Sequence, residues 1–228
     1  MQKAIFLLLL LIPSYIICQT KFTVKNGSKI YNAAMTVNCA DGNCSGEGTI
    51  TITRKEDKSF KQVLSSEDLY FDLNKDQKPT VNIIQLYNEQ SPLIFEDFNF
   101  DGHEDLAIRN GNNSGYGGPS YDVYVFNITK TKFVLSKELT ALAFENLGMF
   151  QTDTKRKRII TFAKSGCCWH ITTEYEIVPM KGLYKVYELE EDAMNDAGNS
   201  VIVTTRKWIN NKLKTEVKKY KTEDYYKE

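Results

Sequence analysis

The chain reads as a mainly β protein, propeller-like or a meander of antiparallel hairpins, with one short helix. Three observations predict this. Aromatic residues that favour strands are abundant, with 13 Tyr and 12 Phe. Runs such as Thr49-Ile50-Thr51-Ile52-Thr53 alternate apolar and polar positions with the period of a half-buried strand. Paired runs also meet at turn-forming residues, as hairpins require.

The elements follow in order. Lys3 precedes an unbroken apolar run, residues 4–12 (AIFLLLLLI), which Pro13 and Ser14 end. The run is too short to span a bilayer but has the length and flanks of a secretory signal peptide. Cleavage is expected between Cys18 and Gln19. The alternative is lipidation of Cys18, against which Ile17 stands where lipoprotein signals carry Gly, Ala or Ser. No second run reaches membrane length, so a periplasmic or secreted chain with no transmembrane segment is expected. Removing residues 1–18 takes one basic residue, Lys3, from the 29, leaving 28 against 29 acidic. A chain without basic excess offers no footprint for nucleic acid.

Four cysteines remain after Cys18: Cys39, Cys44, Cys167 and Cys168. Export makes disulfides the expected state. Cys39 and Cys44 flank the turn sequence Ala40-Asp41-Gly42-Asn43, so local closure is the simplest pairing. Cys167 and Cys168 are left to bridge each other or to cross to the first pair. The spacing is poor for zinc.

Residues 81–87 (VNIIQLY) read as an apolar strand. Residues 121–126 (YDVYVF) carry Tyr121, Val123 and Val125 on one face and Tyr124 and Phe126 on the other, the pattern of a strand buried on both sides. Hairpins are expected over 123–135, 175–187 and 201–220, turning at 129–131, at Met180-Lys181-Gly182 and at Asn210-Asn211. Their recurrence is a weak repeat of the kind propeller blades show, with an ordinary sandwich as the plainer reading. Residues 136–147 (SKELTALAFENL) predict the helix, capped by Ser136 and stopped by Gly148. The tyrosine-rich tail from Lys218 is expected to fray.

Between two apolar runs stands Asp97-Phe98-Asn99-Phe100-Asp101-Gly102-His103-Glu104-Asp105. Calcium takes six to eight hard oxygens, and this spacing delivers them from one turn of chain. Asp97, Asn99 and Asp101 would offer side-chain oxygens, Gly102 the sharp reversal, His103 its carbonyl, and Asp105 closure directly or through water. The position where a helix–loop–helix hand would place its last acid is Ile108, so a strand–loop–strand site is expected. The division expected is a signal peptide at 1–18, an N-terminal β segment at 19–78 and a calcium-binding β domain at 79–228.

Residues 110–121 (NGNNSGYGGPSY) form a loop with four glycines, a proline and two large side chains, Tyr116 and Tyr121. Loops held by rigid strands carry function disproportionately. The run 97–124 as a whole resembles the signature of a family of exported bacterial propeller-like proteins. That family is typified by a periplasmic immunity protein that inhibits a lysozyme-like type IV secretion effector. Cys167-Cys168-Trp169-His170 resembles its C-terminal half, so the likeness spans residues 80–220. The resemblance implies inhibition of a lysozyme-type peptidoglycan glycosidase by an inserted loop, with Ser114, Gly115, Tyr116, Ser120 and Tyr121 as the partner-binding positions. Donors on a slim loop suit a cleft whose two acids stand about 5–9 Å apart.

No catalytic set is legible. His103 lies in the metal loop with its ring turned away, His170 reads as a hydrogen-bonded structural residue, and 190–192 (EED) reads as a solvated turn. No nucleophile elbow, zinc-binding helix or phosphate loop occurs. A non-enzymatic binding protein is therefore expected. The alternative is an extracellular adhesion or scaffold module whose calcium loop is purely structural, and a carbohydrate-active enzyme ranks last.

Overall fold

The computed structural model describes residues 19–57, 59–179, 181–194, 196–210 and 212–227. The expected signal peptide and Cys18 lie outside the described residues, as do the turn residues Met180 and Asn211. The described residues form three antiparallel sheets. The first holds β1 (Gln19–Val24), β2 (Tyr31–Ala40), β3 (Asn43–Arg54) and β4 (Lys61–Ser66) in that order, with the short β5 (Phe71–Asp72) paired to β3. The second is a four-stranded meander of β6 (Leu93–Glu96), β7 (Asp105–Arg109), β8 (Tyr121–Asn127) and β9 (Lys132–Leu135). The third runs β10 (Gln151–Asp153), β11 (Arg158–Ser165), β12 (Trp169–Val178), β13 (Gly182–Asp192), β14 (Ser200–Ile209) and β15 (Lys212–Lys221). This is the mainly β meander that composition and turn chemistry predict.

The second sheet is the hub because both its faces are apolar. On one face Leu93, Phe95, Leu106, Ile108, Phe126 and Phe133 meet Tyr31, Ala33, Met35 and Val37 of β2 and Ile50 and Ile52 of β3. Every second residue of β2 from Tyr31 to Val37 is buried, as a period-2 pattern dictates. On the other face Ile94, Ala107, Tyr121 and Val123 meet Leu139, Leu142 and Ala143 of α1 (Lys137–Glu145), with Phe98, Phe150 and Ile159. The expected two-sided strand, 121–126, is β8. Residues 19–72 thus share a core with the second sheet, and the expected division at 78/79 does not separate two cores.

The helix begins where its cap predicts. The Ser136 hydroxyl accepts from Leu139 N–H at 3.4 Å, and Thr140 Oγ1 accepts from Val123 N–H at 3.0 Å, tying α1 to β8. Gly148, at φ +80°, turns the chain shortly after it ends, and a Cβ there would sit 2.7 Å from Gln90 Nε2.

Three expectations are corrected. Residues 190–192 are not a turn but the end of β13, paired with residues 202–204 of β14. Residues 81–87 are not a strand. Only Val81 forms a bridge, to Leu93, and Asn82 adopts φ 60° while its amide oxygen accepts from Phe95 N–H at 2.7 Å. The asparagine's own hydrogen bonding overrides the apolar run. The tail does not fray at Lys218: β15 stays in register with β14 as far as Lys221, and α2 (Thr222–Tyr225) follows. The Tyr225 hydroxyl donates to Glu191 at 2.7 Å, which draws that helix back onto the third sheet.

Cys39 bonds to Cys44 across the β2–β3 turn, and Cys167 bonds to Cys168 in the β11–β12 turn. Of the pairings open to the sequence, both are the local ones. The third sheet carries its own lattice of charge. Arg206 bridges Glu188 at 2.5 Å and Glu190 at 2.7 Å, and Trp169 Nε1 donates to Glu190 at 2.8 Å. That indole bond, with Arg206 behind it, holds the Glu190 carboxyl below its ordinary range.

Candidate functional site: two loops on the central sheet

The first loop joins β6 to β7, whose last pair is Glu96 with Asp105. Asp97 accepts from Asp101 N–H at 3.1 Å and Gly102 N–H at 2.8 Å. Asn99 Oδ1 accepts from Asp101 N–H at 3.0 Å, and Asp101 Oδ1 from His103 N–H at 2.8 Å. These nested side-chain turns curl the chain around its own polar groups. Phe100 at φ 59° and Gly102 at φ 88° supply the reversal. Phe98 leaves the loop in the opposite direction, fully buried against Phe150 with ring centroids 5.5 Å apart.

Among the described residues no three His, Cys, Asp or Glu side chains stand together as a metal-holding group. The donor set of this loop is a mixed one: two carboxylates, the Asn99 amide and a backbone carbonyl. Each hydrogen-bonded oxygen of Asp97, Asn99 and Asp101 keeps a lone pair beyond the N–H it accepts, so these three residues suit a hard cation.

Asp105 is placed differently. It is fully buried, with Oδ2 accepting from Phe98 N–H at 2.9 Å and Asn99 N–H at 3.3 Å, and Oδ1 accepting from Phe126 N–H at 2.9 Å. It anchors the loop to β8 through main-chain donors. Burial pushes its carboxyl up to about 7. The His103 ring lies beside Phe126, with centroids 6.0 Å apart.

The second loop, residues 110–121, follows β7. Its base is clamped from several sides. Gly111 N–H donates to the Asp68 carbonyl at 2.6 Å, and Asn110 Nδ2 donates to Asp122 at 3.0 Å. Arg109 organises the interior. Its Nε donates to the Gly111 carbonyl at 3.2 Å, its Nη1 to the Gln90 carbonyl at 3.4 Å and its Nη2 to Asn112, while its guanidinium lies 5.3 Å from the centre of the Tyr70 ring. Arg109 is absent from the sequence-based candidates. Its one signal was a charge ending an apolar strand directly before a Gly/Asn run.

The five predicted partner-binding residues do not share one environment. Ser120 is fully buried, its hydroxyl donating to the Asn110 carbonyl and accepting from Asn113 N–H. Tyr121 is fully buried in β8 and donates to the Ser91 carbonyl at 2.9 Å. Ser114 is buried and accepts from Gly148 N–H at 3.1 Å, while Gly115 N–H donates to the Asn146 carbonyl at 2.9 Å. These contacts hold the loop down, so the expectation that Tyr121 is a presented side chain is corrected. Tyr116 alone stands out, 64% exposed in a left-handed backbone (φ 57°, ψ 28°). Its hydroxyl oxygen accepts from Gly166 N–H in the vicinal-disulfide turn. His170, near that turn, stacks on Phe162 at 5.7 Å.

The fold class is thus a mainly β hairpin meander whose central sheet carries two pinned loops. No protein-family model matches the chain, and comparison with curated proteins gives no match. Among solved structures the chain is similar to one described as a Xanthomonas type IV secretion system related protein. The identity is 21%, covering 86% of this chain and 92% of that one with a TM-score of 0.65, a likeness of fold. Among the described residues no helix is long and apolar enough to cross a membrane.

Proposed function

We propose that this is an exported, calcium-stabilised binding protein, without catalytic activity of its own, that inhibits a lysozyme-type peptidoglycan glycosidase through the 110–121 loop. The observation that carries the reading is Tyr116. A bulky residue in the left-handed region costs about 1–3 kcal/mol and persists only where the surroundings over-determine it. Here those surroundings hold an aromatic ring out into solvent while the loop beneath is bonded to residues 68, 146 and 148. Rigid aromatic anchors of this kind carry interface energy at low entropic cost. Likeness of fold to a type IV secretion system related protein is compatible with a secretion-associated role for this chain. The signal-like start, residues 1–18, suits a periplasmic or secreted location, where peptidoglycan and its hydrolases meet.

Calcium would be held by Asp97, Asn99, Asp101 and the His103 carbonyl. There it would supply charge neutralisation, letting the loop oxygens draw together and stiffening the β6–β7 turn. Asp105 supports that turn from beneath.

The test is inhibition of peptidoglycan lysis by the mature protein, with calcium present, against c-type, g-type and i-type lysozymes and a phage muramidase. Slowed lysis by at least one, lost on Tyr116→Ala, is the expected result. No inhibition across the panel, with calcium-dependent stability intact, would favour the adhesion or scaffold alternative instead.

A further inference from the structure

Three segments remote in sequence meet beside Tyr116. Tyr87 comes from the loop before β6, Tyr116 from the loop after β7, and Lys164 from the end of β11. The Lys164 ammonium lies 4.8 Å from the centre of the Tyr87 ring and 5.2 Å from that of Tyr116. Both rings face solvent, 53% and 64% exposed. Among the described residues no carboxylate oxygen lies within 4.0 Å of this ammonium. Elsewhere on the same sheet Arg158, Lys185 and Arg206 each have glutamate partners.

We propose that the cation held between Tyr87 and Tyr116 is the specificity element of the partner-binding surface, and that its ligand is a carboxylate presented by the partner protein. This rests on the inhibitor reading above and narrows it: the carboxylate would be one of the acids in the glycosidase cleft.

The chemistry is that of a preorganised donor. A lysine free in solvent loses much rotamer entropy when a partner fixes it. Cation–π contact with two rings holds this ammonium in place beforehand and keeps water from two of its sides. A carboxylate arriving on the open side then gains a charge-assisted hydrogen bond in a partly dry setting, which is stronger than one in bulk water. Tyr116 adds a second donor. Its oxygen already accepts from Gly166 N–H, which leaves its own O–H to give. The serines that the loop sequence suggests for this task are buried, and the hydroxyl of Ser120 both donates and accepts within the loop. Lys164 is fixed from the strand side too, since it pairs in register with His170 one pair before the turn that contains the Cys167–Cys168 bond.

The experiment compares wild type with Lys164→Met, which keeps the stem and removes the charge, and Lys164→Arg, which keeps the charge. Tyr87→Ala and Tyr116→Ala complete the set. The inhibition constant is measured against the lysozyme-type enzyme that the wild-type protein inhibits, at two salt concentrations, together with the melting temperature. Lys164→Met is expected to weaken inhibition about tenfold or more and to flatten its salt dependence, with melting unchanged. Lys164→Arg is expected to stay within a few-fold of wild type. If Lys164→Met inhibits like wild type while Tyr116→Ala does not, the inference is overturned and the loop reading stands. If the wild-type protein inhibits none of the panel, the loop reading fails and this inference falls with it.

Discussion

The two tyrosines of the 110–121 loop should fail in opposite ways when altered. Tyr121→Phe removes one oxygen from a fully buried ring. That hydroxyl donates to the Ser91 carbonyl at 2.9 Å, and Ser91 is itself fully buried, so water cannot replace the lost donor. Stranding a buried acceptor costs about 1–3 kcal/mol. For a chain of this size the melting temperature then falls by about 2–4 °C for each kcal/mol lost. Burial also pushes the Tyr121 phenol far above its ordinary range, so no change of pH between 5 and 9 would mimic the substitution. Tyr116→Ala removes a ring whose one direct hydrogen bond is to Gly166 N–H, at a position largely in water. Its stability cost should stay below about 1 kcal/mol. The assays are urea unfolding followed by tryptophan fluorescence, and lysis inhibition at a temperature well below both melting points. Tyr121→Phe should unfold earlier and still inhibit, whereas Tyr116→Ala should unfold like wild type and not inhibit. A Tyr121→Phe protein with the wild-type urea midpoint would refute the structural half of this reasoning. A Tyr116→Ala protein destabilised by more than about 2 kcal/mol would refute the other half.

Other outcomes follow from the same contacts. Calcium at about a hundredfold its dissociation constant should stabilise the protein by about 2.7 kcal/mol, and Asp101→Ala should abolish the gain; differential scanning fluorimetry with and without chelator checks this, and no shift for wild type would remove calcium from the account. Asp105→Ala strands the N–H groups of Phe98, Asn99 and Phe126 and should cost about 3–5 kcal/mol, even without calcium. Gly148→Ala sets a Cβ 2.7 Å from Gln90 Nε2 at φ +80° and should cost more than about 1 kcal/mol in chemical unfolding. Replacing Cys39 and Cys44 together by serine opens a small loop and should cost about 2 kcal/mol, read as a lower urea midpoint.

Much of the architecture is local enough to be legible without coordinates. The helix start at Ser136, the strand pairs of the three hairpins, the two-sided pattern of 121–126 and the nearest-neighbour cysteine pairing all depend on residues a few positions apart. Residues 81–87 misled because apolar content by itself secures neither burial nor pairing: none of these residues is buried, and the segment finds only a single bridge. The fraying expected of the tail failed for the converse reason: β15 is exposed along its length and is held by register with β14, which charge content does not reveal.

By itself, the sequence determined the class of this protein, the spacing of the acidic loop after β6 and the presence of a constrained glycine-rich loop after β7. These follow from period, turn chemistry and short-range spacing. Only the tertiary structure decided which side chains of those loops face water. Ser114, Ser120 and Tyr121 turn inward because Gly148, Asn110 and Ser91 offer them partners from distant or opposed segments, and Tyr116 turns outward because the left-handed turn at its own position aims it there. The cation between Tyr87 and Tyr116 was likewise beyond reading, since residues 87, 116 and 164 come together only when three separate segments fold onto one edge. Hydrogen-bond satisfaction across long separations made that choice, and composition carries no record of it.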